Sequence, residues 1–67
     1  MKHSIDLPTS EIERRIAENI HDQTHRSILR RRFIDGIKYE SLAEEFGLSV
    51  RWTKHICYSG ITRIIKN

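Results

Sequence analysis

Phe46-Gly47-Leu48-Ser49 joins a short stretch with one apolar face, Tyr39 to Phe46, to a longer one that holds every late positive charge. These four residues read as the turn of a helix-turn-helix. Gly47 supplies the left-handed backbone that ends a helix without a Cβ clash, and Leu48 can fall back as the apolar contact that accompanies such a cap. Ser49 then offers a hydroxyl to the orphan N–H groups that open the next helix. So short a turn holds the two helices in one mutual orientation, which a DNA-reading pair needs. An ordinary helical hairpin in a small bundle would use the same turn.

Charge favours the DNA reading. The 67-residue chain holds 12 Lys and Arg against 9 Asp and Glu, net +3, and its last acid is Glu45. Residues 1 to 45 carry net −1; residues 46 to 67 carry Arg51, Lys54, Arg63 and Lys66 without an acid, net +4. The positive field therefore belongs to the second helix of the motif. Phosphate neutralisation supplies most sequence-independent affinity for nucleic acid, so this distribution is its electrostatic footprint. The bland alternative is a solvated basic face.

Outward from the turn, apolar periodicity predicts an all-α fold, a small four-helix domain (three to five helices) built around the helix-turn-helix. Residues 1–9 are expected to be an N-terminal arm and 10–67 the folded domain. The first helix is expected to start at Ser10, where Ser10 and Glu13 have capping-box spacing, and Ile12, Ile16 and Ile20 give it one apolar stripe. Asp22 can cap a second helix from about Gln23 to Asp35, ended by Gly36, that buries Ile28, Leu29 and Phe33. Arg30, Arg31 and Arg32 point in nearly every direction around it, so they form no single patch; some are phosphate contacts at best, and at least one is free to pair with an acid of a neighbouring helix.

A third helix, Tyr39 to Phe46, would bury Leu42, Ala43 and Phe46 and expose Glu40, Glu44 and Glu45. Those acids repel phosphate, so this helix supports the reader. The fourth, about Val50 to Ile65, would bury Thr53, Ile56, Cys57, Gly60, Ile61 and Ile64. Its other arc presents Arg51, Lys54, His55, Tyr58 and Thr62. Early residues of a recognition helix reach base edges, so Arg51, Lys54 and His55 are the candidate base contacts; Tyr58, Thr62 and Ser49 suit phosphate better. Trp52 lies between the arcs and can pack against the core or an interface, or touch DNA.

The segment Ile28 to Ile64, ILRRRFIDGIKYESLAEEFGLSVRWTKHICYSGITRI, resembles the helix-turn-helix of the promoter-reading C-terminal domain of bacterial sigma factors, and especially small sigma-like regulators encoded by phages. The pattern is a helix ending in Arg-Phe-x-x-Gly, then Tyr-Glu-x-Leu-Ala-Glu-x-Phe-Gly-Leu-Ser, then Lys54, Ile56, Ile61 and Ile64. The resemblance implies that Lys54 and His55, with Arg51 beside them, face the major groove, and that the function is transcription control through promoter DNA and often RNA polymerase. Three residues depart from it. Lys38 replaces the usual Ser or Thr cap, Thr53 replaces a branched apolar residue, and Trp52 is unusual at its position. The polymerase-binding sigma regions have no counterpart in so short a chain.

Other functions find less support. His21 and His25 have i, i+4 spacing, but Asp22 lies between them as a helix cap and no cysteine pair completes a zinc pattern, so neither a metal nor another cofactor is expected. No phosphate loop, nucleophile elbow or metalloprotease motif appears, and the chain is not expected to be an enzyme. No apolar run is long enough for a membrane span, and the single cysteine, Cys57, suggests a reducing cytoplasm. A domain of this size buries only about 60% of its unfolded surface, so a homodimer is as admissible as a monomer. The rival to DNA is a protein partner, a polymerase subunit or a nucleic-acid enzyme, contacted through Trp52, Tyr58 and an exposed Ile12, Ile16, Ile20 stripe.

Overall fold

The computed structural model describes residues 7–65, and among them the chain is all helix and connection, without strands: α1 Thr9–Asn19, α2 Gln23–Phe33, α3 Tyr39–Phe46 and α4 Val50–Ile65. The helix α4 packs against each of the other three, and α2 against α1 and α3, so α2 and α4 form the spine. Ile12, Ile16 and Ile20 from the α1 end meet Ile28 and Leu29 of α2, Leu42 of α3 and Ile56, Cys57 and Ile64 of α4 in one core. Burial of such side chains contributes roughly 1.5–3 kcal/mol each and is the main term opposing chain entropy.

Each helix boundary has a local cause. Asp22 caps α2 by accepting the Thr24 and His25 amides at 2.8 and 3.1 Å. At the other end α2 stops at Phe33, two residues before the expected Asp35. Ile34 and Asp35 still donate to the Arg30 carbonyl, and Gly36, at φ 71°, turns the chain so that Ile37 N–H reaches the Arg31 carbonyl at 3.1 Å. The helix α3 ends in a Schellman motif: Gly47 sits at φ 66°, ψ 37°, and Leu48 N–H bonds the Ala43 carbonyl at 2.8 Å. Lys38 precedes α3 without a side-chain cap.

The start of α1 departs from expectation. The helix opens at Thr9 after Pro8, and no Ser10–Glu13 capping box forms. Pro8 already has φ −64° and its carbonyl accepts the Glu11 and Ile12 amides at 3.0 and 3.1 Å, while Leu7 packs against the core. With the chain seated there, Ser10 falls inside the first turn, past the position from which a hydroxyl caps. Thr9 thus belongs to α1, not to the arm, and the arm's residues 1–6 lie outside the described residues.

Candidate nucleic-acid interface

The surface of interest is built by the turn and α4. Ser49 fixes the first turn of α4 by accepting the Trp52 amide on Oγ at 3.1 Å. Its carbonyl takes the Thr53 amide at 3.0 Å and the Thr53 hydroxyl at 2.9 Å. Thr53 is fully buried, yet its only polar group is satisfied locally, so it fills a core position at little cost. All six residues expected on the inner face of α4, Thr53, Ile56, Cys57, Gly60, Ile61 and Ile64, are buried. Burial pushes the Cys57 thiol up to about 11, which makes it an inert core side chain.

Every sequence-predicted contact residue lies on the outer arc: Ser49, Arg51, Trp52, Lys54, His55, Tyr58 and Thr62 are all exposed. Among the described residues the ion pairs involve Arg14, Arg15 and Arg31, so no cation of α4 is neutralised by an acid. The arc has two edges. On the α3 edge, the Lys54 ammonium lies 5.7 Å from the centroid of the Tyr39 ring, and Tyr58 meets that ring edge to face at 6.2 Å. On the opposite edge, Trp52 stacks on His55 at 5.0 Å between centroids. Thr62 donates its hydroxyl to the Tyr58 carbonyl at 2.9 Å, so its side chain is turned along the helix.

Trp52 is 49% exposed, which places it on the surface and not in the core. The arginines of α2 divide by partner. Arg31 binds Glu45 of α3 at 2.8 Å and Asp35 at 3.5 Å, whereas Arg32 donates to the Ile37 carbonyl at 3.0 Å and lies over Tyr39 at 4.1 Å. Arg30 is exposed. Glu45, one of the acids expected to repel phosphate, is thus paired with Arg31, and it stays exposed on α3 together with Glu40 and Glu44.

Ser59 and Arg63 escaped the sequence reading of the arc. They continue the Trp52 and His55 edge at i+7 and i+11, a spacing visible in the sequence, but their neighbours across the edge are not. Ile20, His21, Asp22 and His25 of the α1–α2 connection and α2 face them over a cleft of about 240 Å³. Among the described residues no three His, Cys, Asp or Glu are grouped to hold a metal ion. Nor is any described helix long and apolar enough to cross a membrane. Comparison of the chain with family models, curated proteins and solved structures finds no match.

Proposed function

We propose that the protein is a sequence-specific double-stranded DNA-binding regulator of transcription, with α4 as the recognition helix in the major groove. The observation that carries this reading is the solvent-facing, acid-free arc of Arg51, Lys54 and His55 on a helix held by a Schellman turn and a serine cap. Arg51 and Lys54 donate to guanine O6 and N7, while Tyr58 lies along the phosphates and Thr62 joins it by exchanging its bond to the Tyr58 carbonyl for one to a phosphate oxygen. A bidentate base contact discriminates by about 1–3 kcal/mol, and each neutralised phosphate adds about one unit to the salt slope. As a homodimer the protein would span half-sites roughly one helical turn apart; as a monomer it would need a second protein, RNA polymerase being the one its likeness to sigma factors suggests.

The protein-partner alternative loses one of its supports, because Ile12, Ile16 and Ile20 are 1–4% exposed and belong to the core. It keeps Trp52 and Tyr58, which are 49% and 46% exposed. A titration against random and source-genome DNA fragments at two salt concentrations, with mass recorded in the same buffers, separates the two. Selective binding that weakens with salt is expected, and Arg51→Ala and Lys54→Ala should each weaken it without altering the thermal melt. Full affinity in both variants would remove α4 as the reader, and no binding by the folded protein would turn the reading to a protein partner.

A further inference from the structure

We propose that the cleft between the α1–α2 connection and α4 is a binding site for a small anionic molecule with an aromatic body, such as an aromatic carboxylate. Its size sets the class of occupant. An apolar cavity of about 150 Å³ accepts benzene, and drug-sized ligands need roughly 300–1,000 Å³. The 240 Å³ here suits a ring system carrying one short charged group.

The floor and rim set its chemistry. Ile20, Leu29 and Ile56 make an apolar floor. Gly60 closes against it so tightly that a Cβ would stand 2.6 Å from a Leu29 methyl, so an occupant rests on this floor and does not sink below it. Trp52, stacked on His55 on one side, is half exposed at the rim and leaves the remainder of its indole surface to meet a ring. Arg63, exposed and in no ion pair among the described residues, is the cation within the same lining, and His21, His25 and His55 add donors. The one carboxylate in the lining, Asp22, accepts the Thr24 and His25 amides on one oxygen, is held below the usual carboxylate range chiefly by the His25 amide, and so keeps its negative charge at the connection side of the cleft. The occupant's anionic group therefore belongs at Arg63, across the cleft from the Asp22 charge.

The test uses the full, isotope-labelled chain without DNA, so its outcome is independent of the DNA reading. Naphthoate and its uncharged counterpart naphthalenemethanol are titrated while amide and indole resonances are followed. Saturable shifts are expected at His21, His25, Gly60, Arg63 and the Trp52 indole with naphthoate. The neutral compound, and naphthoate with Arg63→Gln, should bind at least tenfold more weakly. Trp52→Ala should weaken both compounds, because it removes the stacking face and not the charge. Shifts that never saturate, or equal affinity for the charged and neutral compounds, would overturn the site.

Discussion

Gly60 marks the closest approach of the two spine helices. A Cβ added there would lie 2.6 and 2.8 Å from the methyl carbons of Leu29, a side chain with no exposed surface into which it could swing. Gly60→Ala should therefore destabilise the fold by about 1–3 kcal/mol through overpacking. Alanine's better helix propensity offsets at most ~1 kcal/mol of that. Urea unfolding checks it, and stability at or above the parent's would mean that the α2–α4 spacing gives way easily. Sequence pattern placed Gly60 on the inner face of α4 but could not say which side chain it faces. For Thr53 the case is reversed. A threonine where the resemblance calls for a branched apolar residue looks like a weak point, yet the carbonyl of Ser49, four residues back at the cap of the same helix, satisfies it.

Helix ends are the second scale, and there the chain's own chemistry is decisive. Gly47 has open space around any added Cβ, so Gly47→Ala tests backbone conformation alone. At φ 66° the change should cost about 1–2 kcal/mol and loosen the angle between α3 and α4. Equilibrium denaturation reads the cost, and an unchanged midpoint would show that the Schellman turn does not hold the motif. At the start of α2, hydrogen bonds from the His25 and Thr24 amides depress the Asp22 carboxyl. A folded-state pKa below the unfolded one means this stabilisation is present above the ordinary carboxylate range and is lost as pH falls through the depressed value. Asp22→Asn keeps a good capping residue but cannot titrate, so its melting temperature should fall less than the parent's between neutral and acidic pH. Parallel curves for the two proteins would take Asp22 out of the acid response. The two glycine stops and the Asp22 cap were legible because each acts within a few residues. The capping box expected at Ser10 failed because Pro8, with its preset φ, and the packing of Leu7 start α1 one residue earlier.

At the scale of the whole molecule, arginines of one helix tie down the carbonyl end of another. Arg15 of α1 accompanies its ion pair with Glu11 at 2.8 Å by donating to the Ile64 carbonyl at the end of α4, at 2.9 Å. Arg26 of α2 reaches the Ala17 carbonyl at 2.9 Å and the Ile20 carbonyl at the exit of α1. These contacts satisfy carbonyls that helix ends leave without intrahelical partners, and they place positive charge at the negative ends of the helix dipoles. Arg15→Ala should thus lower stability by about 1 kcal/mol and speed amide exchange at residues 61 to 65 more than in α3. Equal acceleration in both places would assign Arg15 a merely local role.

The sequence by itself determined the four helices, most of their ends and the centres of their inner faces, because helical periodicity and capping depend on neighbours three or four positions away; Phe33 and Phe46, expected inside, lie only partly buried at the edge of the core. It also determined the acid-free outer arc of α4, since a buried stripe on one side leaves the remaining residues to solvent. Only the tertiary structure decided which arginines are engaged, that Trp52 stacks on His55 at the surface, and that His21 and His25 come to face Arg63 across a cleft. A long, flexible side chain takes its partner from whichever helix end or acid the packing brings within reach, and that neighbour is set by how the helices cross, not by spacing along the chain.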